Sequence, residues 1–278
     1  MKHILIPTDF SNNSWNALEY AVQLYKGESC IFFILHIDEL SKSYVKGNSF
    51  MALTKPNPST TKDKSNHFFE QIGSLPANIL HQFIALEEYG NFIDIVKKIV
   101  QEKKIDLIAL GTKNVSRFKA SVFGNNAGNV ITKVPCNVLI IPEETALKTP
   151  DKIAFPTDFN LFYSYPILNS LTEILEISKA NLEVVHVSQS QPKFTNAQVN
   201  NKEYLNDYLN ELFLESHNFQ SILGANIRDS IINYISSNKI DMLTLVAKNL
   251  NLFQQLFFNN SIQQLSYHTS VPLMVIHE

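Results

Sequence analysis

A chain of 278 residues, 45% of them hydrophobic and with a formal net charge of −3, holds enough apolar material for one large core or two ordinary ones, and its charge balance favours neither nucleic acid nor an anionic membrane. Its two cysteines, Cys30 and Cys136, each lie inside an apolar run, which argues against a secreted disulfide framework and suits buried thiols in a reducing cytoplasm. No stretch approaches the roughly 20 apolar residues of a membrane-spanning helix, and Ile4-Leu5-Ile6, closed by Pro7, falls short of a signal-peptide core of roughly 7–15 residues.

In chain order, residues 3–7 read as a buried strand. A helix follows from Ser11, a suitable N-cap, with Trp15, Leu18, Ala21, Val22 and Tyr25 at helical spacing. Cys30 to Ile37 is a nearly continuous apolar run, the pattern of a parallel strand covered on both faces. Residues 41–62, rich in Ser, Thr, Asn, Lys and Pro, read as a long mobile loop. A helix through His67–Ile72, a strand near 79–85, a helix over 91–103, a strand over Leu107–Leu110, a helix over 126–134 and a strand over 137–141 complete the series. Strands alternating with helices imply a parallel sheet with helices on both faces and right-handed crossovers.

The series then repeats. Residues 3–10 (HILIPTDF) match 152–159 (KIAFPTDF), and 104–114 (KIDLIALGTKN) match 239–249 (KIDMLTLVAKN). The second match runs on without a gap to the end of the chain. Strands are expected near 152–156, 181–187, 218–222, 242–246 and 272–276. The expected organisation is a first domain over 1–143, a polar linker over 144–150 and a second domain over 151–278. Each domain is expected to be an α/β unit built on an open parallel five-stranded sheet. The last strand of each half is apolar, and an apolar edge must be covered. Pairing of the two final strands within the chain would do so, and a homodimer of the whole chain is left open.

In open sheets of this class ligands bind beyond the carboxyl ends of the strands, where the strand order reverses. The segment after the fourth strand reads GTKNVSRFKASVFGNN over 111–126. Gly111 is followed after two residues by Asn114, and nine residues further come Gly124 and Asn125. The universal stress protein family carries Gly, two residues, Gly, nine residues, then Gly and Ser or Thr. With Pro7-Thr8-Asp9 after the first strand, Leu35-His36-Ile37 ending the second and VPCNVLIIP closing the half, the chain resembles that family over essentially its whole length, twice. The resemblance implies a Rossmann-like fold and a non-catalytic, cytoplasmic protein of the stress response. It also implies ATP, or another adenine nucleotide, in the first half. There Gly111, Thr112, Asn114, Gly124, Asn125 and Asn126 would cradle the phosphates. Pro7, Thr8 and Asp9 would lie at the sugar, and the backbone at Ile37 would meet the adenine edge.

Two departures bear on this. Asn114 stands where the family has glycine; Asn tolerates positive φ, but its side chain lies in the path of a phosphate. Asn125 replaces a hydroxyl residue and keeps an amide donor. The second half has Val246, Asn249, Asn259 and Asn260 at the four positions. With Val resisting positive φ, nucleotide is expected in the first half alone. The alternative is a nucleotide-independent, dimerising or partner-binding protein that keeps the loop for its turn geometry. Weak ATP hydrolysis ranks lower, because no carboxylate cluster adjoins the loop. Lys113 has no P-loop spacing, and neither a G-x-G-x-x-G nor a G-x-S-x-G motif is present. His36 and His186, at equivalent strand ends, read as hydrogen-bonded structural residues, and the Phe-rich run 252–258 as interface or core.

Overall fold

The computed structural model describes residues 1–38, 41–43, 52–54, 58–112, 125–249, 252, 256, 258–259, 262–265 and 271–278. The first half runs β1 (Lys2–Thr8), α1 (Asn12–Leu24), β2 (Cys30–Asp38), β3 (Ser41–Ser43), β4 (Ala52–Thr54), α2 (Pro58–Ser74), β5 (His81–Tyr89), α3 (Phe92–Lys103), β6 (Leu107–Thr112), α4 (Asn125–Lys133) and β7 (Asn137–Pro142). The second runs β8 (Lys152–Pro156), α5 (Tyr165–Ser178), β9 (Asn181–Ser188), α6 (Asn196–Phe213), β10 (His217–Leu223), α7 (Ile227–Asn238), β11 (Met242–Val246), β12 (Phe258–Asn259), β13 (Ile262–Leu265) and β14 (Leu273–Ile276).

The expected loop over 41–62 is the clearest local difference. β3 and β4 pair antiparallel within it. Pro58 opens α2 well before His67, because proline has no amide to lose at a first helical position. Elsewhere the boundaries follow local chemistry. Asn91 caps α3 by accepting from the amides of Ile93 at 3.0 Å and Asp94 at 3.3 Å. Thr195 and Gln198 form a reciprocal capping box on α6.

The expected pair of five-stranded sheets is one sheet of ten. Its order is β10-β9-β8-β11-β14-β7-β6-β1-β2-β5. Neighbours within each half are parallel. The join is antiparallel: Val138, Leu139 and Ile140 of β7 face Val275, Met274 and Leu273 of β14. Both are apolar final strands, and side by side each removes the other's open edge. Further bonds cross the join. Lys2 pairs with Glu173, Asn137 Nδ2 donates to Ser170 Oγ at 3.0 Å, and Lys148 Nζ lies 2.6 Å from an Asp241 oxygen.

Successive strand residues point to opposite faces, and the core divides accordingly. Ile4, Ile6, Phe32 and Ile34 meet α1, α2, α5 and α6 on one face. Leu5, Phe33, Leu35 and Ile108 meet α3, α4 and α7 on the other. Cys30 and Cys136 lie in these two cores as free thiols, and burial pushes both up to about 12. Among the described residues no helix is long and apolar enough to cross a membrane.

Candidate functional site

From β1 the chain steps outward to β2 and β5, then returns to β6 and β7 on the other side of β1. The carboxyl ends of β1 and β6 therefore bound the crevice where such sheets bind ligands. Pro7 and Thr8 end β1, Asp9 follows it, Gly111 and Thr112 end β6, and Ile37 lies one residue from the end of β2. Ile4 pairs with Leu107 and Leu5 with Ile108, so the same register carried forward sets Thr8 level with Gly111. These six residues thus share one edge of the sheet. Asn126, exposed in the first turn of α4, follows Asn125, which opens that helix. Asn114 and Gly124 lie outside the described residues.

The Pro-Thr-Asp-Phe segment folds into the same tight turn in both halves. Thr8 Oγ1 accepts from the amide of Phe10 at 2.9 Å, and Asp9 Oδ1 accepts from the amide of Ser11 at 3.1 Å. The counterparts are Thr157 with Phe159 at 3.0 Å and Asp158 with Asn160 at 3.0 Å. These local side-chain bonds hold Phe10 at φ 60° and Phe159 at φ 58°, a region bulky residues seldom occupy. Each Phe ring then lies against a histidine. Phe10 is 4.5 Å from His36 and Phe159 5.6 Å from His186, between centroids. Both histidines donate through Nδ1 to the carbonyl of the preceding strand's Thr at 3.0 Å, the structural role read from their positions. Neither the left-handed Phe nor the buried Asn13 beside it was legible as a site residue. The repeated Thr-Asp pair, suited to side-chain-closed turns, was the available signal for the first.

Gly111 differs from its expected role. It is not among the positive-φ glycines; it ends β6 as ordinary strand. What it provides is space. A Cβ there would lie 1.9 Å from the carbonyl oxygen of Asn13 and 2.4 Å from its carbonyl carbon. The first turn of α1 therefore rests directly on the end of β6. The barrier that Val246 raises at the equivalent point is likewise one of bulk rather than of φ. α5 begins at Tyr165, whereas the counterpart of Asn12 in the repeat is Leu161, so one helical turn is missing. Tyr163, the counterpart of Ser14, makes good the lost contact. Its hydroxyl reaches Thr157 Oγ1 at 2.6 Å, as Ser14 Oγ reaches Thr8 Oγ1 at 2.8 Å.

The crevice of the second half is filled from within. Asn249, the counterpart of Asn114, is buried and donates to Asp158 Oδ1 at 2.8 Å. Its own Oδ1 accepts from the amide of Leu252 at 3.3 Å. Gln198 donates to the carbonyl of Asp158 at 2.8 Å and Asn201 to that of Phe159 at 2.9 Å. Lys202 Nζ lies 5.8, 5.4 and 5.9 Å from the ring centroids of Phe159, Phe194 and Phe219. Aromatic surface beside the turn is thereby occupied by the chain's own cation.

None of the curated protein sequences matches this chain. Among solved structures, a universal stress protein from Archaeoglobus fulgidus DSM 4304 is 14% identical with a TM-score of 0.66, the match covering 99% of this chain and 98% of that one. A functionally unknown protein from Pseudomonas aeruginosa PAO1 is 12% identical with a TM-score of 0.59, covering 99% and 92%. A universal stress protein from Archaeoglobus fulgidus in complex with dAMP is 12% identical with a TM-score of 0.33, covering 45% and 96%. The model of the universal stress protein family matches residues 1–142, half of the sequence and all the strands that bound the first crevice, and the chain belongs to that family.

Proposed function

We propose that this is a non-catalytic stress-response protein of the cytoplasm, whose first half binds an adenine nucleotide, ATP foremost. In this reading residues 1–143 and 151–278 are two domains joined by 144–150, and they pair within the chain as two subunits of a dimer would. The antiparallel contact of β7 with β14 supports that pairing. Nucleotide would lie over Pro7, Thr8, Asp9 and Ile37, with Gly111, Thr112, Asn114, Gly124, Asn125 and Asn126 around its phosphates. The observation that carries the reading is the asymmetry at Gly111. There α1 closes on the end of β6, whereas in the second half Val246 stands in place of that glycine. A glycine kept at this point in one copy and replaced by valine in the other is what selection for one ligand site leaves behind. Mass spectrometry of small molecules released by denaturing freshly purified protein tests it. An adenine nucleotide near one equivalent per chain is expected; no nucleotide, together with no ATP binding by calorimetry, overturns it. Phosphate release from ATP above a blank would overturn the non-catalytic part.

A second reading, a nucleotide-independent partner-binding protein, draws support from the plugged half. Phe162, Tyr165 and Tyr204 are 60%, 74% and 44% exposed there, and Phe162 stacks on Tyr204 with 5.3 Å between centroids. Exposed aromatic surface of this kind is typical of interaction sites. Retention of a specific partner by protein stripped of nucleotide would favour it.

A further inference from the structure

The ten-stranded sheet ends in two open edges, β5 and β10. Native edges are ordinarily blunted by shortness, proline, lysine or a bulge. β5 has none of these. It runs for nine residues, contains neither proline nor lysine, and pairs with β2 from His81 to Tyr89 in unbroken register. Leu80 accepts from the amide of Cys30 and Gly90 donates to the carbonyl of Asp38, so the even-numbered residues turn their peptide groups toward β2. Phe83, Ala85, Glu87 and Tyr89 therefore turn theirs to the open side. Side chains agree with the backbone. Among the described residues from 2 to 143, the exposed large apolar side chains are Ile79, Leu80, Ile84 and Tyr89, all on this strand or in the two positions before it. Apolar surface gathered along an open edge marks a contact.

The order of residues on the strand selects the partner. Laid antiparallel on its own copy about Ile84, β5 sets Phe83 opposite Ala85, His81 opposite Glu87 and Ile79 opposite Tyr89. Within β5 these are the residues whose peptide groups point outward, so each such pair can exchange both of its backbone bonds. Ile84 meets its own copy in the closer kind of pair, where side chains touch most. Glu87 faces a basic residue. Glu88 faces Leu80, and its carboxylate is already held by Lys98 Nζ at 3.0 Å. No acid faces an acid, and three of the four exposed apolar residues meet apolar ones. We infer that β5 is the contact between two copies of this chain, which join their sheets edge to edge about a two-fold axis at Ile84. Such a contact uses the same strand on both sides and closes at two chains. β10 fits less well, with Gln220 and Ser221 at its middle and Leu223 at its end as its one exposed large apolar side chain. The crevice between β1 and β6 lies inside the sheet, so this inference does not depend on what fills it.

Sedimentation velocity over a dilution series, on the full chain, gives the first test. The wild type should pass from two chains to one on dilution. Ile84→Lys sets like charges against each other at the axis and should raise the dissociation constant at least about tenfold. Ile84 is exposed, so the circular dichroism spectrum of this variant should match the wild type. Cross-linking fixes the register. Ile84→Cys, oxidised with glutathione disulfide, should give a covalent pair of chains, because Cα atoms about 4.5 Å apart in such a pair lie within disulfide range. Gln82→Cys should not, since its two copies lie four positions apart, roughly 13 Å along the strands. A wild type of one chain at every concentration overturns the inference. So do assemblies that grow beyond two chains, which would mean β5 of one copy on β10 of the next, and cross-linking through Ser221→Cys in place of Ile84→Cys. Equal cross-linking of Ile84→Cys and Gln82→Cys overturns it as well, by showing random collision rather than a fixed register.

Discussion

Replacing Gly111 by alanine adds a single methyl, and the structure says where it goes. It would sit 1.9 Å from the Asn13 carbonyl oxygen, 2.4 Å from its carbon and 3.2 Å from its Cα, all backbone atoms. Ordinary contact begins at 3.4 Å, so β6 and α1 must separate by about 1.5 Å. No side chain can swing aside to provide that. Forcing extra bulk into a packed interior costs about 1–3 kcal/mol. Moving the first turn also parts Ser14 Oγ from Thr8 Oγ1, a bond worth about 1 kcal/mol. A total loss near 3 kcal/mol is expected, which at about 2–4 °C per kcal/mol for a chain of this size lowers the melting temperature by roughly 6–12 °C. Gly73→Ala is the control. It lies in α2 with nothing within 4 Å of the new methyl, and should gain about 0.5–1 kcal/mol from helix propensity. Urea denaturation of both variants, followed by circular dichroism, reads the difference. If Gly111→Ala lies within about 0.5 kcal/mol of the wild type, an ordinary surface value, the close approach of α1 to β6 is not what keeps glycine there.

Asn114→Gly combined with Asn125→Ser should tighten ATP binding in the first half by roughly tenfold, by clearing the phosphate's path and restoring a hydroxyl donor. Asn249→Gly with Asn260→Ser should do little, because Val246 remains; calorimetry on both pairs decides it. Burial holds His277 below the ordinary histidine range, with a hydrogen bond involving the Ile131 backbone opposing it, and its Nε2 is enclosed without a partner among the described residues. The folded state thus binds the proton less readily than the unfolded chain, whose histidine titrates near about 6.5. Stability should be full above that pH and fall as the pH drops below it; denaturation midpoints between pH 7.5 and 5 should fall less steeply in His277→Gln, and parallel slopes would refute this. Lys202→Met keeps the aliphatic stem but removes the charge over three rings, and should cost about 1 kcal/mol by urea denaturation. Lys202→Arg should cost little.

The repeat and the strand–helix alternation were legible because both are periodic: Pro-Thr-Asp-Phe recurs, and so does Lys-Ile-Asp with its apolar run. What periodicity cannot carry was misread. The stretch over 41–62 is polar, and its composition gave no sign that Pro58 starts a helix. Gly111 was read for backbone freedom because a glycine's two uses, positive φ and missing bulk, look alike in sequence; only the position of Asn13 separates them. Asp9 and Ile37 were singled out from strand ends and the family resemblance, whereas Asn13 sits inside an amphipathic helix, where a polar residue on the buried face looks like a lapse in the pattern. Asn249 and Lys202 act across elements far apart in the chain, and no local signal ties either to Asp158 or Phe159.

The divergence of the two crevices is coupled rather than piecemeal. Val246 leaves no room for a first helical turn, so the second half starts α5 one turn late; the late start removes a serine hydroxyl from the threonine of the turn, and Tyr163 spans the longer gap. Its ring is buried, and burial raises its hydroxyl well above the ordinary tyrosine range, so it stays a neutral partner for Thr157 at any physiological pH. Asn249 then satisfies Asp158 in the space that remains. Each change is tolerable only beside the others. Val246→Gly alone would open a void next to a helix whose start is already set by Ser164 and Pro166, and it would restore neither a turn nor a donor. Three interlocking packing changes are not undone by one reversion. On the proposed reading the first half, where Gly111 admits the first turn of α1 and Ser14 reaches Thr8, is where nucleotide should be found.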